Sequence, residues 1–166
     1  MSIPDFQTLM RPLLELHGDK QEHLNRDLVN SLAETFSITD EERREMLPSG
    51  RAKMFDNRVG WAKTYIANAG LIEAPRRGIS VITERGIALL SEHAGPINLR
   101  VLNNLNSTKT PREKRQTPNI DQGSPDEENG EYSETPEEVF ENAYLKIRAD
   151  VEQKIIQKIL ANPPEF

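Results

Sequence analysis

The feature that most limits how this chain can fold is a helix pattern that runs directly into a hairpin pattern, between Asn57 and Thr83. Apolar residues recur every three or four positions over residues 54–69, which predicts a helix that ends at Gly70. Two β-prone segments follow, LIEA and ISVIT, and the Pro-Arg-Arg-Gly sequence between them predicts a tight turn. The remaining elements must therefore pack against a helix that is joined at once to a hairpin.

Three helices are predicted ahead of this pair, over about residues 4–17, 24–36 and 39–47. The third begins with a capping box, because Thr39 and Glu42 have the spacing that lets each bond the backbone of the other. After the hairpin, Thr83 is predicted to cap a helix, and a further short helix is weakly indicated around residues 99–105. We expect a mainly α fold with a small β-hairpin, a winged helix-turn-helix, in which the hairpin is the wing and the preceding helix enters the major groove.

The second half of the chain divides into a polar segment and a long helix. Residues 106–134 are dominated by Ser, Thr, Pro, Asn, Gln, Glu and Lys, so they cannot bury enough apolar surface to offset the entropy of ordering. Thr135, Pro136 and Glu138 then predict a helix start, and an apolar stripe continues to about Leu160. The predicted domains are a winged helix over residues 1–95, a flexible polar and acidic linker over 96–134, and an amphipathic helix over 135–162. An exposed stripe of this length needs a partner.

Charge is unevenly distributed along the chain, although the net charge is −6. Residues 51–100 carry 8 Lys and Arg against 4 Asp and Glu, giving +4, whereas the segments on either side (5 against 10, and 8 against 13) carry −5 each. An acidic total can therefore conceal a basic working surface, and the acidic flanks could also contact it and compete with DNA. The chain has no cysteine, no long apolar run and no basic, apolar leader, so we expect a cytoplasmic protein without a membrane partner.

The face of the central helix that is predicted to point away from the core is small and polar. It carries Asn57, Gly60, Thr64 and Asn68, with Trp61 at its edge. The candidate DNA-binding residues are Arg51, Lys53, Asn57, Arg58, Trp61, Lys63, Thr64, Arg76 and Arg77. Three alternatives stay open: the wing arginines could serve solubility alone, Trp61 could belong to the core, and Gly60 could allow two helices to pack closely.

No catalytic or metal-binding residues are predicted within the chain. Asp126 with Glu152 and Lys154 reproduces a nuclease motif in letters only, because residues two apart on a helix diverge by about 200°. The three histidines are scattered singly, and neither a phosphate-binding loop nor a dinucleotide motif is present. We therefore expect no cofactor in this chain.

Residues Leu47–Leu90 resemble the N-terminal domain of Mrr-type restriction endonucleases. The shared positions are Asn57, Arg58, Gly60, Trp61, Arg77, Gly78, Thr83 and Gly86. The resemblance covers roughly residues 1–95 and extends more weakly to the C-terminal helix, which ends near the point where a nuclease domain is expected to begin.

The resemblance implies a winged-helix DNA-binding domain that precedes a Mg²⁺-dependent nuclease domain of the PD-(D/E)xK type. The expected function is the targeting module of a modification-dependent endonuclease, non-catalytic in these residues, with double-stranded DNA, in methylated form in particular, and the C-terminal nuclease domain as partners. The alternatives are a protein-interaction or homodimerisation module and a free-standing transcription regulator.

Overall fold

The computed structural model describes residues 2–107 and 134–162. Its helices are α1 (Phe6–Leu16), α2 (Asn25–Thr35), α3 (Asp40–Arg44), α4 (Met54–Asn68), α5 (Glu84–Glu92), α6 (Leu99–Ser107) and α7 (Pro136–Ala161). Its strands are β1 (His23–Leu24), β2 (Ile72–Arg76) and β3 (Ile79–Ile82). The expected fold class is confirmed, since the described residues are mostly helical with one small antiparallel sheet.

The sheet places β3 between β1 and β2, and both pairings are antiparallel. The hairpin register pairs Ile72 with Ile82 and shifts before Arg76 pairs with Ile79. The turn is closed by Gly78 at φ 77°, a left-handed conformation that favours glycine. The short strand β1 was not predicted, because a strand of two residues carries no readable alternation.

The core forms between α1, α4 and the sheet, and α1 packs along α4. Its apolar side chains are spaced by three and four along both helices, which produces the periodicity seen in the sequence. The fully buried members are Phe6, Leu9, Met10, Leu13, Leu14, Leu32, Phe55, Ala62, Ile66, Ala69, Leu71 and Ile97. The polar edge of α4 is therefore left on the outside.

The predicted helix caps are confirmed. Capping boxes form between Thr39 and Glu42 and between Thr135 and Glu138, and the Thr83 hydroxyl accepts the backbone N–H of Gly86. These bonds satisfy N–H groups that have no partner within the first turn of a helix. The long helix α7 ends at Ala161, close to the predicted end at Leu160.

The root of the hairpin is tightly packed around Gly86. A Cβ atom on this residue would lie 2.3 Å from the carbonyl oxygen of Leu71 and 2.7 Å from Cγ1 of Ile82. The Thr83 hydroxyl donates to the carbonyl oxygen of Gly70 at 2.6 Å and so ties the start of α5 to the end of α4. Thr83 and Gly86, which are spaced as Thr-x-x-Gly, thus fix the position of the wing relative to α4.

The packed unit extends beyond residue 95, where the linker was predicted to begin. Ile97 and Leu102 are buried in the core, at 1% and 2% exposure, and α6 contacts α4. The apolar residues of this short segment suffice for packing because α1 and α4 already provide the opposing surface. The rest of the predicted linker, residues 108–133, lies outside the described residues.

Candidate nucleic-acid interface

Five of the candidate residues fall into two groups, one towards the hairpin and one towards the start of α7. The first, the wing-side cluster, consists of Lys63, Arg76 and Arg77. Lys63 donates to the side-chain oxygen of Asn25, whose backbone N–H donates to the carbonyl oxygen of Gly78 in the wing turn at 2.9 Å. The first residue of α2 therefore connects the end of the wing with the flank of α4.

The two wing arginines are exposed. Arg76 forms an ion pair with Glu22, with 67% and 46% of the two side chains exposed, so the pair is weakly held. The Arg77 side chain has no hydrogen bond or ion pair to any residue within 2–107 and 134–162. Both guanidinium groups can therefore reach an approaching anion without breaking a buried contact.

The wing-side cluster rests on a buried polar bond between α1 and the sheet. His17 is fully buried, and its ring nitrogens contact the carbonyl oxygen of Leu13 at 2.8 Å and the hydroxyl of Ser80 at 2.9 Å. Burial lowers the pKa of His17, and the nearby charges of His23 and Lys63 add to the effect, although the bond to Leu13 opposes it. Burial also lowers the pKa of Lys63.

The second group, the α7-side cluster, consists of Asn57 and Arg58 near the N-terminal end of α4. The Asn57 amide nitrogen donates to the carboxylate of Glu137, and its amide oxygen accepts from the Thr135 hydroxyl at 2.9 Å. The carboxylate of Glu141 accepts the backbone N–H of Ser49 at 3.0 Å, together with its hydroxyl. The first two turns of α7 thus lie over the beginning of α4.

Arg58 is the most enclosed of the candidate cations. Its guanidinium contacts the Glu138 carboxylate at 2.7 Å, and the two side chains are 15% and 6% exposed. It also donates to the carbonyl oxygens of Ile3 at 2.8 Å and Pro4 at 3.3 Å. Burial opposes a charge on Glu138, but the bonds from Arg58 and from the N–H of Thr135 outweigh it, so the pKa of Glu138 is lowered.

The surface of α4 between the two clusters is exposed and carries small side chains. Gly60 is exposed, and a Cβ atom there would meet nothing within 4 Å, so among the described residues it does not serve close helix packing. Thr64 bonds back to the carbonyl oxygen of Gly60 at 2.9 Å, so this stretch of α4 has little side-chain bulk. Trp61 is half-buried against the core with its ring centroid 6.0 Å from that of Tyr65.

Arg51 and Lys53 lie just before α4, and both are exposed. Lys53 is in the position that precedes the first helical residue, and it pairs through its backbone with Met46 across the connecting loop. Both residues are near the α7-side cluster in the sequence, and the backbone N–H of Asn57 donates to the carbonyl oxygen of Lys53 at 2.9 Å.

Sequence reasoning missed the residues that contact the candidate site from α7. Glu137, Glu138 and Glu141 were seen only as the acidic start of a distant helix, although acidic flanks were considered as competitors for DNA. The available signal was the pair of opposite charges, +4 on the central segment and −5 on the C-terminal one. Charge alone could not specify which acidic residues would meet which basic ones.

No metal-binding arrangement of three or more His, Asp or Glu side chains occurs within the described ranges. The Glu152 and Lys154 side chains, part of the nuclease-like letters, pair with Arg148 and Asp150 along α7, and Asp126 lies outside the described residues. None of the helices that the structure describes is both long and apolar enough to cross a membrane.

The described residues form a mainly α domain with a small three-stranded antiparallel sheet, in which the hairpin follows directly after α4. The chain belongs to the Mrr N-terminal domain family, whose model matches residues 6–92. The family expected from the sequence is thereby confirmed.

A curated relative is the protein named "Type IV methyl-directed restriction enzyme EcoKMrr" from Escherichia coli (strain K12). It is 22% identical over 169 residues, and the aligned region covers 99% of this chain. The chain spans 55% of the length of that relative. No solved structure matches the chain significantly.

Proposed function

We propose that this chain is the DNA-binding and targeting module of a modification-dependent restriction endonuclease, acting in the cytoplasm. The lysine and arginine side chains of the candidate surface neutralise phosphates, while Asn57, Trp61 and Thr64 lie nearest the base edges. Residues of this chain bind and position DNA, and they do not cleave it. The cutting would be done by a C-terminal nuclease domain that uses Mg²⁺.

The observation that carries the proposal is the open, small surface of α4 between the exposed wing arginines and the cations that precede the helix. A recognition helix must approach the floor of the major groove closely, and an exposed glycine with a back-bonded threonine permits this. The wing arginines are held beside that helix by the Asn25 bridge, where they can reach the flanking phosphates. The family match and the name of the relative are consistent with this assignment.

Methylated DNA is the proposed preferred substrate. The support is the name of the relative, a methyl-directed restriction enzyme, together with the half-buried Trp61 at the edge of the surface. An apolar ring beside a polar helix face is suited to contact with a methyl group in the major groove.

The test is fluorescence anisotropy of a labelled duplex, titrated with the full chain at several salt concentrations. Replacing Arg76 and Arg77 by Glu should weaken binding to any duplex. It should also make the plot of log affinity against log salt less steep, by the amount expected for the loss of about two phosphate contacts. The matched control reverses Arg100 and Lys158, two exposed cations outside the candidate surface, and should change the salt slope little. Equal affinity and slope in the wing variant and the wild type, with an intact circular dichroism spectrum, would remove the wing from the interface.

A second candidate function, association with another protein domain, is favoured by the exposed apolar residues of α7. Phe140, Ile147, Ile159 and Leu160 are 73%, 64%, 60% and 76% exposed. Their partner is proposed to be the nuclease domain, with a homodimer as the alternative. Sedimentation of the chain distinguishes the two, because a monomer at high concentration leaves no self-association through α7.

A further inference from the structure

We infer that the start of α7 is an intramolecular competitor of DNA, which covers the N-terminal end of α4 and must move away before that end can contact a duplex. The inference rests on the proposed function, since it assigns a regulation to the same surface. The segment involved is residues 135–141, and the residues it covers are Ser49, Asn57 and Arg58.

In these contacts, carboxylate oxygens of α7 occupy donors that could otherwise bind phosphate oxygens of DNA. Glu138 engages the Arg58 guanidinium, Glu137 accepts from the Asn57 amide, and Glu141 accepts from the N–H and hydroxyl of Ser49. Each of these donors is of the kind that binds phosphate oxygens in protein–DNA complexes. Three carboxylates in two helical turns therefore satisfy the donors that a phosphate would otherwise meet.

The same contacts exclude DNA by charge as well as by occupation. Glu137, Glu138 and Glu141 lie on the first two turns of α7, directly over the beginning of α4. A duplex phosphate placed there would face carboxylates at a distance shorter than the screening length, which is about 10 Å at 0.1 M salt. The covered end is consequently repulsive to DNA while the helix is docked.

The attachment is confined to the start of α7, which makes it reversible. Thr135 and Glu138 are buried, whereas every described residue from Asn142 to Asn162 is exposed. Within the contact, the apolar side chains of Val139 and Phe140 are 47% and 73% exposed, so among the described residues it is held mainly by hydrogen bonds and the ion pair. Release of α7 breaks the ion pair between Arg58 and Glu138, and a DNA phosphate that binds Arg58 would replace it.

Coupling of this kind is reciprocal: weakening the docked contact strengthens DNA binding, and DNA binding releases the helix. Glu137→Gln with Glu141→Gln removes two charges while retaining side chains that can still accept a hydrogen bond. The full chain with these changes should bind a duplex about tenfold more tightly at 0.1 M salt, within the range usual for coupled sites.

The control for a general loss of negative charge is Asp150→Asn with Glu152→Gln. These residues lie on the same helix, about 13 Å or more farther along its axis from Glu141, and within the described part of the chain they pair with neighbours on α7. Because that distance exceeds the screening length, the control should change DNA affinity much less than the Glu137 and Glu141 variant does. An equal gain in both variants would overturn the inference.

A lock on the helix gives an independent test, because the chain has no cysteine of its own. Ser49→Cys with Glu141→Cys allows a cleavable bis-maleimide to bridge α7 to the loop before α4. The bridged chain should bind DNA at least about tenfold more weakly than the same chain before bridging, and cleaving the linker should restore binding.

The outcomes separate this inference from the proposed function. Tight DNA binding that is unaffected by the bridge and by the Glu137 and Glu141 changes overturns the competitor and leaves DNA binding intact. Absence of DNA binding in the wild type, the charge variant and the unbridged cysteine variant overturns the proposed function and the inference together.

Discussion

The two clusters of the candidate interface differ in what holds them in place. The wing-side cluster is built on the packed core, through the buried His17–Ser80 bond and the close packing at Gly86. The α7-side cluster is covered by a helix that is attached mainly through an ion pair and hydrogen bonds. A basic residue counted in the sequence is therefore not always available to a ligand, because an acidic segment of the same chain can cover it.

Disrupting the close packing at the root of the hairpin should have the largest effect on stability. In Gly86→Ala the new methyl group would overlap the carbonyl oxygen of Leu71, so the start of α5 and the hairpin must separate. We expect a loss of about 3 kcal/mol in the free energy of unfolding, measured by urea denaturation. A stability within about 0.5 kcal/mol of the wild type would show that the root of the wing can adjust, contrary to the contrast drawn here.

Breaking the α7 contact should have a smaller and more local effect. Arg58→Met keeps most of the apolar stem but leaves Glu138 buried without its cation, so α7 should undock, with a cost of at most about 3 kcal/mol. Hydrogen exchange of residues 135–141 should lose protection while α1 keeps its own. Arg148→Met, which removes an exposed pair on the same helix, is the control and should leave both segments unchanged.

The structures that support the two clusters should weaken over different pH ranges as the solution is acidified. The pKa of His17 is lowered from 6.5 in the fold. The contribution of neutral His17 to the free energy of unfolding is therefore fully present above pH 6.5 and declines as the pH falls below that value. The pKa of Glu138 is lowered from 4.5, so the α7 contact keeps its full strength to about pH 4.5 and weakens below it.

Thermal unfolding between pH 7 and 5 should therefore become easier while residues 135–141 stay protected from hydrogen exchange. Replacing His17 by Gln should flatten the pH dependence in this range. Loss of protection in residues 135–141 above pH 5 would contradict the assignment of that contact to Glu138.

The open surface between the clusters is tested by the smallest change. Gly60→Ala adds a methyl group in free space within a helix, so stability should rise by about 0.5–1 kcal/mol. DNA affinity should nevertheless fall, because the methyl group lies on the face that must approach the groove. Higher stability with unchanged DNA affinity would place the contact elsewhere on α4.

Much of the fold followed from local signals in the sequence. The helix caps at Thr39, Thr83 and Thr135 and the turn at Gly78 are decided by residues close in the chain, so they could be read directly. The strand β1 and the packing of Ile97 and Leu102 depend on partners far away in sequence, which explains why neither was assigned.

The candidate site was only partly predictable for the same reason. The outward position of Gly60 and Thr64 follows from helical periodicity, and the exposure of Arg77 follows from its place in a turn. The burial of Arg58 depends on Glu138, 80 residues farther along the chain, and no periodicity encodes that contact. Single-residue patterns therefore predicted which side chains face outward but not which residues cover them.

The central claim, that the α4 and wing surface binds DNA, is tested most directly by anisotropy titration of the chain against matched duplexes with and without methylated bases. Both duplexes should be bound, with an affinity that falls steeply as salt increases, and the methylated duplex should be bound more tightly. An absence of binding to either duplex at any salt concentration, by the wild type and by the Glu137→Gln, Glu141→Gln variant alike, would contradict it.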